Sequence, residues 1–319
     1  MLQCNITLRA LAIFQQHGVT VHDYLFNYLW KNYGIRIDCY PVELISKDLI
    51  TKYDIVINAA CNHVFHFESL CEIEKICNEL NLPMLNRPEA LKRCSRVQFS
   101  KLMRDNGLHT ARVERVSSLA TLLATELRYP IILRKELSHL GSTMQFIASE
   151  HEAKQLPAEL FTPETIAIEY FDFSNTEGLY RKHRCILLGD KVIPRHVISS
   201  PDWNIHSGSR QEERAIEHIA EDRAFWERDL KEAPALLTAK ALAGLDYTIA
   251  DYALTEAGEP FFFEMNPCFS AIDQRTFKRE WAYQLEAVHE YCEAFAHYLY
   301  DLTGYQDRPT DYLSTPIVL

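Results

Sequence analysis

The sequence of 319 residues lacks several features that identify common classes of protein. None of its nine cysteines forms a CxxC pair, so a zinc ribbon or a dithiol redox site is not indicated. No apolar run approaches the ~20 residues of a membrane-spanning helix, and the N-terminus has no charged start followed by an unbroken apolar stretch. We therefore predict a cytoplasmic protein with free thiols and no membrane partner.

Basic charge is also scarce. Lys and Arg number 33 against 44 Asp and Glu, which gives a formal net charge of -11. Attraction of a nucleic-acid backbone is therefore not expected, and any anion would need a local basic pocket. The N-terminal region has no glycine-rich phosphate loop, and the chain has no GxSxG sequence of the kind found in serine hydrolases.

The hydrophobic pattern predicts a small parallel α/β domain followed by a mixed α+β body. Up to residue 86, apolar runs alternate with helical segments, as in parallel sheets. The runs are 10–14, 35–40 and 54–60, and the helical segments are 21–33 and 68–80. Asn86 and Pro88 then predict the capped start of one helix that Gly107 closes.

From residue 129 the apolar period shifts towards two, which predicts strands. These are 129–136, 143–148, 165–170, the hairpin of 179–188 and 191–199, and a last hairpin within 245–265. Helices are predicted within 210–244 and over 280–302. The domains expected are 1–86, 87–167 and 168–305, followed by a tail over 306–319.

Two carboxylates and an amide on the last hairpin form the strongest candidate site. A turn centred between Ala257 and Gly258 places Asp251 opposite Glu264, where like charges destabilise the pair unless a cation lies between them. Asn266 faces the same side and adds a neutral oxygen. Because these are hard oxygen donors without histidine or cysteine, they predict a Mg²⁺ site that binds nucleotide phosphates. The alternative is a hairpin face whose charges extend into water.

A second candidate lies on the predicted strand 129–136, where Arg134 emerges from an apolar run. The small polar segment 138–143, which contains Ser142, follows it. Such a hairpin can close over phosphates, with the Arg134 guanidinium and backbone N–H groups as donors. An ordinary surface arginine is the alternative.

A third candidate is a local excess of cations in the strand pair 179–199. Lys182 and Arg184 share one face of their strand, whereas Arg181 and His183 take the other. Further candidates for holding substrate are Arg195, His196, Asn204 and His206, with Trp203 as a platform or a core residue. This excess predicts a pocket for phosphate or a substrate carboxylate, and ordinary strand-edge charge is the alternative.

Taken in order, these features resemble the ATP-grasp superfamily, which includes glutathione synthetase and D-alanine:D-alanine ligase. The resemblance covers roughly residues 86–302, and its most specific part is Glu264-Met265-Asn266-Pro267 after Asp251. The cation-rich segments also look like a less characterised subgroup, for which the family name leaves the substrate open. The resemblance implies an α+β ATP-grasp fold behind a small N-terminal parallel α/β domain, called the pre-ATP-grasp domain.

It also implies roles for individual residues. Mg²⁺ would be held by Asp251, Glu264 and Asn266; ATP by Arg96, Arg134, Ser142 and the hinge of Glu169, Tyr170 and Phe171; and the transferring phosphoryl group by Arg184. Lys182, His196 and His206 face the presumed nucleotide and complete the catalytic candidates, a histidine serving as base for an amine. Arg96 and Arg134 stand where typical members have lysines.

The implied activity is ATP-dependent carboxylate-amine ligation. A carboxylate attacks the γ-phosphate, an acylphosphate and ADP form, and an amine displaces phosphate. The substrates would be a small acid, an amino acid or a peptide. The two arginines leave open a catalytically weakened ATP-binding regulatory or scaffold protein, and a kinase-like or phosphatase-like enzyme is a third reading. The helix over 280–302 leaves a homodimer open.

Overall fold

The computed structural model describes residues 8–14, 23–60, 66–136, 138, 144–270, 272, 276 and 278–305. Its strands form three sheets, which confirms the predicted α+β class. None of the helices in these ranges is long and apolar enough to cross a bilayer. Every cysteine within them is a free thiol.

The N-terminal sheet is parallel, as the alternation of strands and helices predicts. Its strands are β1 (Leu8–Phe14), β2 (Ile35–Pro41), β3 (Ile55–Asn58) and β4 (Met84–Leu85), and its helices are α1 (Asp23–Tyr33), α2 (Lys47–Ile50) and α3 (Phe67–Glu79). The order of strands is β2-β1-β3-β4. All four residues of β3 are buried, as expected for a parallel strand covered on both faces.

The single helix predicted next is wrong, because the chain forms two helices there. These are α4 (Pro88–Arg93) and α5 (Arg96–Asp105), and they are separated by Cys94 and Ser95. The Cys94 thiol donates to the carbonyl of Ala90 at 3.2 Å, within the last turn of α4. The break makes Arg96 the first residue of a new helix, which turns its side chain towards the body of the protein.

The predicted cap of α4 is also wrong. Arg87 occupies the capping position and no side chain caps the helix. Asn86 is instead fully buried: its side-chain amide donates to the carbonyl of Tyr247 at 3.0 Å, and its oxygen accepts from the N–H of Asp246 at 2.7 Å. Asn86 therefore joins the N-terminal sheet to the body of the molecule.

A small antiparallel sheet comes next. It contains β6 (Val113–Arg115), β7 (Ile131–Lys135), β8 (Gln145–Ile147) and β9 (Thr165–Glu169), with the short helices α6 (Leu119–Leu123) and α7 (Glu150–Ala153). The order β6-β9-β7-β8 encloses its own core. Strand β9 crosses residue 167, where a domain boundary is predicted, and the boundaries stay a prediction.

The largest sheet holds both predicted hairpins. Its strands are β5 (His109–Thr110), β10 (Tyr180–Leu188), β11 (Lys191–Ser200), β12 (Tyr247–Leu254) and β13 (Pro260–Asn266), in the order β11-β10-β12-β13-β5. The helices of this part are α8 (Ala215–Glu227), α9 (Ala233–Ala243) and α10 (Leu285–Thr303). A 3-10 turn, Arg279–Gln284, precedes α10.

The two faces of this sheet are packed differently. One face packs on α5 and α9 through Cys185, Ala250 and Phe262. The other face packs at one end on α10 and the N-terminal sheet, through Ile186 and Ile249. At its other end, that second face meets the small antiparallel sheet and is open for a site.

Candidate functional site

A cavity of about 570 Å³ lies where the large sheet meets the small antiparallel sheet. The structure brings twelve of the predicted site residues to its wall: Arg96, Arg134, Glu169, Tyr170, Phe171, Lys182, Arg184, His196, His206, Asp251, Glu264 and Asn266. Ser142 lies outside the described residues. Residues predicted on several separate segments therefore share one site, although their individual roles stay predictions.

Asp251 lies directly opposite Glu264 across β12 and β13, as the turn position predicts. The pairing beside the turn differs from the prediction, however. Leu254 pairs with Pro260 there, and the register shifts by one residue between Tyr252 and Asp251. Phe263 is the extra residue of this irregularity. Without it, Asp251 would face Phe263, so the bulge aligns the two carboxylates.

Asp251 is 2% exposed and is held by two cations from β10. Arg184 donates to both of its oxygens, at 2.6 Å from Nε and 2.7 Å from Nη2, and the Lys182 ammonium lies 3.6 Å away. Burial opposes ionisation of Asp251, but Arg184 and Lys182 outweigh it and lower its pKa to about 2. Asp251 is therefore an anion at neutral pH, and a hairpin face open to water is wrong for it.

Glu264 is paired with the arginine that begins α5. Arg96 Nη2 donates to Glu264 Oε2 at 2.6 Å, and Nη1 donates to the main-chain oxygen of Glu136. Arg134 lies close to Arg96, is 7% exposed, and donates to the carbonyl and hydroxyl of Ser138. Burial and the charge of Arg96 lower the pKa of Arg134 to about 10, while Glu264 opposes the shift.

The donor set suits a hard divalent cation. Asn266 lines the cavity with the two carboxylates, and its Oδ1 accepts one hydrogen bond, from the N–H of Cys268 at 2.9 Å, so a lone pair remains. Across the ranges that the structure describes, no three His, Cys, Asp or Glu side chains form a metal site. Mg²⁺ does not require one, because it commonly binds one or two carboxylates together with substrate phosphates.

The predicted hinge lies at the apolar end of the cavity. The N–H of Tyr170 donates to the carbonyl of Pro130 at 2.9 Å, and the Glu169 carboxylate accepts from the N–H of Arg128, also in the loop before β7. Phe171 stacks on Phe261 with ring centroids 3.9 Å apart and planes at 12°. This end therefore offers aromatic surface to a flat ring.

The three remaining catalytic candidates differ in their geometry. Lys182 Nζ donates to the carbonyl of Ile205 at 2.9 Å, so it anchors the loop after β11 as well as facing Asp251. The His206 Nδ1 accepts from the N–H of Gly208 at 2.9 Å. A neutral His206 ring therefore carries its proton on Nε2 and presents a donor, not a base.

His196 lines the cavity as a neutral imidazole. It pairs with Arg184 in the register of β10 and β11. Burial first, and then the charges of Arg184, Arg210, Arg195 and Lys182, hold the pKa of His196 well below its ordinary value. Its imidazole is therefore neutral at physiological pH, with a lone pair at one ring nitrogen.

Sequence reasoning missed the polar wall behind His196. Asp222 on α8 is fully buried and accepts from Arg210 Nη2 at 2.9 Å at both oxygens, from the Tyr283 hydroxyl at 2.6 Å, and from the N–H of Val197 at 2.7 Å. Arg210 lines the cavity and lies over the Trp281 ring at 5.3 Å. Residues in helices and turns carry no alternation that would have predicted this.

An aromatic cluster that includes the cavity residues Tyr170 and Trp203 was missed in part. Phe146 of β8 contacts Tyr170 and Trp203 with ring centroids 5.1 and 5.8 Å apart, and Tyr170 lies 6.0 Å from Trp203. The cluster joins the small sheet to the loop after β11. Phe146 was not predicted, because a strand of three residues shows too little alternation to indicate which face it presents.

Neither a protein-family model nor a curated protein matches the sequence. The structure, in contrast, is similar to solved structures. One is a RimK domain ATP-grasp protein from Sphaerobacter thermophilus, with 11% identity and a TM-score of 0.55, covering 91% of this chain and 98% of that one.

Two further similar structures contain ATP. D-alanine–D-alanine ligase from Bacillus anthracis has 14% identity and a TM-score of 0.52, covering 91% of this chain and 98% of its own. Carboxyaminoimidazole ribonucleotide synthase from Aspergillus clavatus has 12% identity and a TM-score of 0.54, covering 90% of this chain and 78% of its own. At identities this low, the similarity shows a shared fold only, so the activity has to be argued from the site.

Proposed function

We propose that this chain, which has the ATP-grasp fold, is an ATP-dependent ligase that activates a carboxylate and joins it to an amine. The observation that carries the proposal is the pairing of Asp251 with Glu264 inside the cavity, with Arg184 bonded to Asp251 through both oxygens. Two anions held face to face beside several cations suit a polyphosphate and a divalent cation better than a neutral ligand.

The nucleotide would lie across the cavity from the aromatic end to the paired carboxylates. Phe171 and Phe261 offer a stacking surface to the adenine ring. Arg96 and Arg134 are placed to donate to phosphate oxygens, as forks that match phosphate geometry. Mg²⁺ bound by Asp251, Glu264 and Asn266 would neutralise phosphate charge.

The proposed reaction has two steps. An oxygen of the substrate carboxylate attacks the γ-phosphorus, the bond to the β,γ-bridging oxygen breaks, and ADP leaves with that electron pair. The amine nitrogen then attacks the acyl carbon, the bond to the phosphate oxygen breaks, and inorganic phosphate leaves. Arg184, oriented by its two bonds to Asp251, stabilises negative charge on the transferring group. His196, which lines the cavity, is the residue proposed to take the proton that the amine loses.

The substrates proposed are a small acid, an amino acid or a peptide. Arg195 and Arg210 also line the cavity and would attract a carboxylate there. Cytoplasmic location and a homodimer stay predictions.

One observation favours a second candidate function. The guanidinium of Arg96 bonds Glu264 at 2.6 Å, in the position where a cation would otherwise approach that carboxylate. If this contact persists when nucleotide binds, the protein would bind ATP without turning it over, as a regulatory or scaffold protein.

The experiment measures ADP, phosphate and amide products from purified protein with ATP, Mg²⁺ and pools of acids, amino acids and peptides. We expect ADP and phosphate to appear with an amide product, and E264Q to lower the rate by about 100-fold. The matched control is E259Q on the same hairpin, whose carboxylate is 60% exposed and contacts His109 outside the cavity.

Each outcome assigns one function. ATP that binds but is never consumed with any pool supports the regulatory protein. ADP formed without an amide supports a kinase-like or phosphatase-like enzyme. Equal rates for E264Q and E259Q would contradict the metal assignment.

A further inference from the structure

We propose that the site binds the nucleotide polyphosphate before the divalent cation, because Arg96 occupies Glu264 until phosphate oxygens replace that carboxylate as its partner. The inference rests on the proposed function and adds an order of binding to it. It makes Arg96 the residue that keeps free metal out of the site.

The metal end of the cavity carries an excess of positive charge. Among the residues that the structure describes, four cations, Arg96, Arg134, Lys182 and Arg184, line it with two carboxylates, Asp251 and Glu264. Glu169, the remaining acid among the described residues of the cavity wall, accepts from the N–H of Arg128 at the hinge. A divalent cation would therefore enter a region that is already positive, whereas a polyphosphate would be attracted by the same charges.

Each of the two carboxylates already has a guanidinium partner. Both oxygens of Asp251 accept from Arg184, at 2.6 and 2.7 Å, and its side chain is 3% exposed. Glu264 accepts from Arg96 at 2.6 Å, and its side chain is 26% exposed. Glu264 is therefore the side from which a metal can enter, and Arg96 stands on that side.

Arg96 can change partners without any movement of its helix. It is the first residue of α5, and its Nη1 donates to the main-chain oxygen of Glu136 while Nη2 donates to Glu264. A guanidinium presents several N–H groups in a fixed fork, so Nη1 can stay on the Glu136 carbonyl while Nη2 turns to a phosphate oxygen. A lysine also has three N–H donors, but they diverge from a single nitrogen, so it matches two separate acceptors less well than the guanidinium fork.

The order of events follows from these contacts. Polyphosphate oxygens attract Arg96 and Arg134, and the Arg96 bond to Glu264 is lost. Glu264 then has an oxygen available, and the phosphates supply the further oxygen ligands that a hard cation needs. Metal and nucleotide therefore bind with positive coupling, and free metal binds poorly by itself.

The test measures binding rather than turnover, with the full chain. Electron paramagnetic resonance follows Mn²⁺ alone and Mn²⁺ with a non-hydrolysable ATP analogue, and calorimetry follows ATP in the presence of EDTA. For the unmodified protein we expect ATP to bind without metal, Mn²⁺ to bind with the analogue, and Mn²⁺ alone to bind at least about tenfold more weakly.

The variant that tests Arg96 itself is R96Q, and R96K is a second variant in case R96Q fails to fold. We expect either change to strengthen binding of Mn²⁺ alone, by about tenfold for R96Q and less for R96K. The matched control is K101Q on the same helix, because the Lys101 side chain is 73% exposed and pairs with Asp105 outside the cavity.

Two results would overturn the inference. Tight binding of Mn²⁺ alone to the unmodified protein, equal to that of R96Q, would overturn the order of binding while leaving ligase activity intact. Failure of ATP to bind under any condition would overturn both this order and the proposed function.

Discussion

Replacing Asp251 with Asn should destabilise the protein much more than a typical surface substitution. The carboxylate is 2% exposed, and its pKa is lowered from 3.8 to about 2 by Arg184 and Lys182 against the opposing effect of burial. That shift corresponds to ~2.5 kcal/mol of stabilisation at neutral pH. D251N also leaves Arg184 without its partner in the sheet, so we expect a total loss of ~3 to 5 kcal/mol.

The pH dependence gives a second test of the same pair. Because the pKa of Asp251 is lowered in the folded state, its ionic stabilisation is complete above about pH 4 and is lost as the pH falls towards 2. The difference in free energy of unfolding between the unmodified protein and D251N should therefore be ~1 kcal/mol smaller at pH 3 than at pH 7.

Urea-induced unfolding followed by circular dichroism, at pH 7 and at pH 3, measures both quantities. The double variant D251N/R184M serves as the control, because removing both charges should recover part of the loss. A D251N protein whose free energy of unfolding falls by less than ~1 kcal/mol at pH 7 would refute the reasoning, because loss of a buried carboxylate with two bonds to Arg184 should destabilise the protein by more than that.

Two further predictions concern other cations and bases of the cavity. Arg134→Ala should weaken ATP binding by about tenfold in calorimetry and change the melting temperature little, because burial already disfavours the Arg134 charge; normal binding with a large drop in melting temperature would make Arg134 structural. His196 should remain neutral from pH 8 to pH 6 in ring NMR spectra assigned with H196Q, because burial and Arg184, Arg210, Arg195 and Lys182 all lower its pKa. A ring titration with a midpoint near the ordinary pKa of 6.5 would contradict that assignment.

Local periodicity was enough to predict the face of each strand in the site. Lys182 and Arg184 line the cavity, whereas Arg181 contacts Glu221 and His183 is buried on the opposite face. Alternation along a strand is a property of the backbone, so it can be read without knowing the partners of the strand. The parallel N-terminal sheet was predictable for the same reason, from strands that alternate with helices.

In the last hairpin, the predicted pair of carboxylates is correct although the predicted turn is not. Asp251 and Glu264 do face each other, but the pairs beside the turn centre on Ala257, half a residue from the predicted centre, and the bulge at Phe263 restores the alignment. Bulges depend on packing against neighbouring strands as much as on the turn itself. The same is true of the break before Arg96, where apolar spacing alone predicted one continuous helix.

The sequence by itself therefore determined the fold class, the faces of the strands and twelve of the residues that meet in the cavity. Only the tertiary structure decided which charges pair there: Arg184 with Asp251, 67 residues apart, Arg96 with Glu264, 168 residues apart, and Arg210 with Asp222. A periodic pattern records which side of an element is buried, whereas an ion pair between distant elements depends on how sheets and helices pack against each other. In this protein that packing places an arginine on each carboxylate of the site.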